Sequence, residues 1–150
     1  MHKLWVLYLA FWGFAKWYVL VRFVPFAYWR KRLLTRCLPH AIAMPKLDFT
    51  AKMSARSLID LSEKVARHHP THVNCLRRCM VQYELLSRYG YPVQLYIGVR
   101  FTPDEILQAH SWLLCEGLLI NDSPEIVSTY AHIADVGKFF AGRTVGMMDS

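Results

Sequence analysis

Asn74-Cys75-Leu76-Arg77-Arg78-Cys79, Val93-Gln94-Leu95-Tyr96-Ile97-Gly98-Val99-Arg100, Ala109-His110-Ser111-Trp112 and Ile120-Asn121-Asp122 follow one another in a span of about fifty residues. Asn74 is suited to cap a helix, because its side chain can accept the orphan amide hydrogens of a first turn. Leu76, Met80, Tyr83 and Leu86 recur at steps of three and four, and Gly90 suits the far cap, so a helix is predicted from about Asn74 to Tyr89. Val93, Leu95, Ile97 and Val99 alternate with Gln94, Tyr96, Gly98 and Arg100, the period of a half-buried strand. A loop over Phe101 to Gln108 leads to a second strand, Ala109 to Leu114. Glu116-Gly117 makes a tight turn into a third strand, Leu118 to Asn121. Upstream, Leu58, Ile59, Leu61, Val65 and Ala66 form one stripe on a helix from about Ser54 to Arg67. Helices first and an antiparallel meander after them define an α+β domain.

Outward from this core, Leu4 to Ala15 is uncharged, and admitting Lys16 extends the apolar run to Val21. The uncharged part is shorter than the roughly 20 residues of a membrane span, and its tryptophans are spread along it rather than gathered at two ends. Pro25 is expected to end this helix. Residues 1–36 are therefore read as a hydrophobic helical segment with a basic end, Arg30-Lys31-Arg32 and Arg36, packed on the core or docking a partner or a membrane surface. Residues 37–150 are read as the core, entered through a connector with Pro39, Pro45 and Leu47-Asp48-Phe49-Thr50. Tyr130, Ile133 and Phe139-Phe140 are expected to pack back on it.

The chain has 150 residues, enough for one domain, and a formal net charge of +7. Arg67, Arg77 and Arg78 form a second basic group. No nucleic-acid motif accompanies these charges, so no nucleic-acid partner is expected. No small-residue cleavage site follows the apolar N-terminus, so the protein is expected to be cytoplasmic with free thiols at Cys37, Cys75, Cys79 and Cys115.

Cys75 falls in the first turn of its helix, where unpaired amide hydrogens and the helix dipole favour a thiolate and can hold an oxyanion. Gln94 is the candidate for a further, side-chain oxyanion donor. His110 can take the thiol proton and return it to a leaving amine. Across the Glu116-Gly117 hairpin, Asp122 can reach the His110 ring and orient it. A competing metal reading draws on His68, His69, His72, Cys75 and Cys79, but no second Cys/His pair lies downstream at zinc-site spacing. Neither a metal nor another cofactor is expected.

The Asn74 to Cys79 segment, Leu85-Leu86-Ser87-Arg88-Tyr89-Gly90, Ile97 to Arg100, Ala109 to Trp112 and Asn121-Asp122 together resemble the transglutaminase-like cysteine peptidases of lasso-peptide biosynthesis, the leader peptidases called B proteins. The apolar opening helix with Pro25-Phe26 resembles that family's start. The resemblance implies a papain-like or transglutaminase-like core, Cys75 as nucleophile, His110 as general base and Asp122 as orienting acid. It implies hydrolysis of one peptide bond, releasing the leader of a ribosomally made precursor before an ATP-dependent lasso cyclase closes the ring. Because the hydrophobic helix begins near residue 4, the chain resembles the split form, which relies on a separate leader-recognition protein. Cys79 stands where the family commonly has Ser, and Leu114 where it often has Glu.

Overall fold

The computed structural model describes residues 2–25, 28 and 53–132. The basic run at 30–32, the connector at 39–50, Cys37, Ile133 and Phe139-Phe140 lie outside the described residues. The elements run α1 (His2–Phe23), α2 (Ala55–His68), α3 (Cys75–Arg88), β1 (Val93–Phe101), β2 (Leu107–Cys115), β3 (Leu118–Leu119), the short α4 (Pro124–Val127) and β4 (Ala131–His132). The strands form one antiparallel sheet in the order β3-β2-β1-β4, an α+β arrangement with the helices first.

Local chemistry sets the boundaries. Ser54 accepts the Ser57 amide at the start of α2, and Asn74 Oδ1 accepts the Arg77 amide at 2.9 Å at the start of α3. Glu116 and Gly117 both take positive φ, 52° and 80°, the conformation that a two-residue hairpin between twisted strands requires. The β1–β2 ladder is longer than the alternation predicts: Phe101 pairs with Leu107 and Arg100 with Gln108, so the expected Phe101–Gln108 loop shrinks to a turn closed by Thr102 and Ile106. β3 is shorter than predicted. Beyond Leu119 the chain leaves the ladder, and the Leu113 amide is taken by the side chain of Asn121 at 2.8 Å.

Val93, Leu95 and Leu113 on one sheet face pack against Met80, Tyr83 and Leu86 of α3, with Leu58 and Ile59 of α2 in the same core. α1 contributes Val6, Ala10, Phe14 and Trp17 to it, all at or near zero exposure. Burying each of the two aromatic rings stabilises this packing by roughly 1.5–3 kcal/mol. Lys16, the charge inside the apolar run, pairs with Glu84 of α3 at 2.6 Å, and the Trp17 indole donates to the same carboxylate at 3.2 Å. The opposite face of α1 carries Trp5, Tyr8, Phe11, Trp12 and Val19 exposed. By length and composition α1 is also sufficient to cross a membrane. In that setting its Phe14 and Trp17 face would have to give up these core partners.

Arg77 differs most from its sequence reading as part of a basic surface. Its side chain is buried, donating to the carbonyls of His72 and of Phe14 (2.8 Å) and to Thr71 Oγ1 (2.7 Å), with Tyr18 alongside. Burial lowers its pKa, and the carbonyl cage compensates the charge. Arg77 thus clamps α1 to the loop that leads into Cys75. Arg77→Met is expected to destabilise the fold by roughly 2–4 kcal/mol, since buried acceptors lose a charged donor; urea unfolding measures it.

Candidate active site

Cys75 opens α3 and is partly exposed. The Arg77 and Arg78 amides are taken by Asn74, through its side chain and its carbonyl. The Cys75 and Leu76 amides keep no partner among the described residues, the usual state of a first helical turn. They are the backbone donors available to an oxyanion there. Gln94 lies four residues along β1 from Gly98, the register partner of His110, or about 13 Å, and its Oε1 accepts from the Tyr96 hydroxyl.

His110 and Asp122 come together. The His110 ring meets an Asp122 carboxylate oxygen through Nε2, with the two side chains 20% and 15% exposed. The other Asp122 oxygen accepts the Ser123 amide at 2.8 Å, which fixes the carboxylate. With Nε2–H donated to Asp122, the lone pair of Nδ1 faces the remaining direction. The ring sits between Tyr130, at 5.1 Å, and Trp112, at 6.2 Å. Tyr130 was expected to pack back on the core, and here it covers the imidazole, held in turn by the Arg100 guanidinium at 4.6 Å.

No hydrogen bond joins Cys75 to His110 among the described residues. Strand alternation puts Ser111 and Leu113 toward α3, and His110 with Trp112 on the other face. The elements that carry them are joined along the edge of β2 that β3 leaves open. There the Cys79 thiol, one turn after Cys75, donates to the Ser111 carbonyl at 3.2 Å. Two clefts adjoin this region. One, of about 330 Å³, is bordered by Asp122, Asn121, Arg78 and Asp60. The other, of about 300 Å³, is bordered by the loop of His69 to Val73 just before Cys75. The Glu63–Arg78 ion pair, at 3.3 Å, borders both.

Cys79 is neither a second reactive thiol nor plain apolar filler. It is buried and hydrogen-bonded, and burial pushes its pKa up to about 12. In the folded protein iodoacetamide at pH 8 is expected to label Cys75 while Cys79 and Cys115 react only on unfolding; peptide mapping reads this out. The unfolded chain releases the Cys79 proton near pH 9 and the folded one does not until about 12. Stability is therefore expected to fall as pH rises through that window, and less steeply in Cys79→Ala.

The metal reading finds no geometry. The His68 ring bonds the Lys64 carbonyl, His69 takes Thr71 and lies against Phe11 and Phe14, and Cys79 faces the sheet. Among the described residues no three His, Cys, Asp or Glu side chains converge as a metal site. Leu114, where the resemblance expects Glu, is half-buried opposite Gln94 and Leu119.

A thiol at a helix start, followed by an antiparallel sheet that carries a carboxylate-bound histidine, defines a class of cysteine-dependent α+β domains. A family model described as the transglutaminase-like superfamily matches residues 20–135, and the chain belongs to that superfamily. Its members are typically cysteine-dependent enzymes and include peptidases and acyltransferases. Comparison with curated proteins and with solved structures finds no match in either.

Proposed function

We propose that this protein is a cysteine peptidase that removes the leader from a ribosomally synthesised lasso-peptide precursor, working with a separate leader-recognition protein and ahead of an ATP-dependent cyclase. The observation that carries the reading is the His110–Asp122 contact in a transglutaminase-like domain whose candidate thiol, Cys75, opens a helix. The ordered motifs around these residues supply the substrate class.

In this reading Cys75 Sγ attacks the scissile carbonyl and His110 Nδ1 accepts the thiol proton. Asp122 stabilises the imidazolium through Nε2. The Cys75 and Leu76 amides hold the oxyanion. Collapse of the tetrahedral intermediate breaks the C–N bond, and His110 returns the proton to the amine of the core peptide, which departs. Water, deprotonated by His110, then hydrolyses the thioester and frees the leader carboxylate and the thiol. The mechanism requires Cys75 and His110, which no hydrogen bond joins among the described residues, to come within hydrogen-bond reach around the open edge of β2 already in the free protein. The exposed aromatic face of α1 offers a surface to the leader-recognition protein or to a membrane surface.

The test combines the purified protein, a lasso precursor and the leader-recognition protein without the cyclase, read by mass spectrometry. Two products summing to precursor plus one water are expected. An amine adduct on the leader would mean acyl transfer instead, and intact precursor would leave a scaffolding role.

A further inference from the structure

The polar side chains between α3 and the sheet form a single directed chain. Asn121 Oδ1 accepts the Leu113 amide, which fixes the orientation of its amide group. Its Nδ2 then donates to Cys79 Sγ at 3.2 Å and to Gln82 Oε1 at 2.8 Å. Gln82 Nε2 must in turn donate, and it meets Glu63 Oε1 at 2.7 Å and Ser62 Oγ at 3.2 Å, whose own hydrogen goes to the Ile59 carbonyl. Cys79, receiving a hydrogen from Asn121, passes its own to the Ser111 carbonyl. Every donor in the series has an acceptor, so such a network locks one arrangement.

Three members of this series lie close in sequence to the proposed catalytic groups. Ser111 follows His110, Asn121 precedes Asp122, and Cys79 is one helical turn from Cys75. We propose that Cys79 and Asn121 form a positioning node, joining the backbone beside His110 and beside Asp122 to the helix that carries Cys75. This rests on the reading of Cys75 and His110 as a working pair. Neither residue touches substrate; each acts through the group next to it. A thiol suits the Cys79 position because it both accepts and donates there, and a hydroxyl can do the same at nearly the same size.

The test reads Cys75 directly and needs no precursor: site-resolved iodoacetamide alkylation against pH, by peptide mapping, on the full chain. His110→Ala reports first. It is expected to slow Cys75 alkylation at pH 7 about ten-fold, with little change at pH 9.5, as the thiolate loses its partner. Cys79→Ala and Asn121→Ala are expected to shift the profile in the same direction by a comparable amount, with far-UV circular dichroism unchanged. Cys79→Ser is expected to restore the parent profile. An unchanged profile in His110→Ala would overturn the catalytic pairing itself. A shift there, with parent-like profiles in Cys79→Ala and Asn121→Ala, would overturn the node alone. So would a Cys79→Ser protein that behaves as Cys79→Ala does. Should Asn121→Ala not fold, Asn121→Asp replaces it, since it keeps the acceptor for Leu113 and loses the donors to Cys79 and Gln82; a parent-like profile there also overturns the proposal.

Discussion

Cys75→Ala is expected to abolish precursor cleavage, by about 10⁴-fold or more, while leaving the unfolding midpoint nearly unchanged. The two halves of this expectation have separate causes. Cleavage depends on one sulfur atom forming a thioester, and alanine has nothing that can replace it. Stability depends little on that atom, because Cys75 is partly exposed and forms no hydrogen bond through sulfur among the described residues. The helix start is held by Asn74 and Arg77, which the substitution leaves in place. Initial rates by mass spectrometry and urea unfolding measure the two halves. His110→Ala is expected to cost about as much activity, and the double variant little more, since nucleophile and base work as a unit. Cleavage persisting in Cys75→Ala would remove the thiol mechanism.

Gly98→Val is expected to be the most damaging substitution in the sheet. A Cβ at Gly98 would stand 2.7 Å from Trp112 Cη2 and 2.8 Å from Tyr130 Cβ, closer than such atoms approach in proteins. The Trp112 ring could swing only by leaving its stack on Tyr96, and the Tyr130 contact is next to backbone. Overpacking of this kind costs about 1–3 kcal/mol for small insertions, and the branched valine is placed at the top of that range or above it. A melting-temperature loss on the order of 10 °C follows for a domain of this size. The two displaced rings are those that flank His110, so activity is expected to fall further than stability alone explains. Gly98→Ala should show the same pair of effects at reduced size. A Gly98→Val protein with parent melting and parent activity would refute the close approach.

The elements that decide the fold were legible where local chemistry acts alone. Asn74 caps α3, Glu116-Gly117 turns the hairpin, and the alternation from Val93 to Val99 marks β1. The α+β arrangement follows from their order. The ladder's far end was not legible, because Phe101 and Leu107 are both exposed and break the apolar–polar alternation. Asp122 was placed near His110 by counting across the hairpin, and the structure brings the two into contact. Arg77 and Cys79 could not be read, since their partners are backbone carbonyls supplied by distant segments. A basic pair such as Arg77-Arg78 looks alike in sequence whether it faces water or a cage. The i, i+4 spacing of Cys75 and Cys79 does place them on one helix face, and that was the available hint that they share a neighbourhood.

The way α1 is held has a consequence for the growing chain. Phe14 waits for Arg77, 63 residues later, and Lys16 for Glu84, 68 residues later. At translation rates of about 5–20 residues per second, the first helix is finished roughly 3–14 s before the helix that covers it. During those seconds Val6, Phe14 and Trp17 are as bare as the aromatic face behind them, and Lys16 stands among them without Glu84. The nascent segment therefore presents its most adhesive surface at the ribosome. Yield in a cell is expected to depend on what shelters residues 2–23 until residue 84 is made.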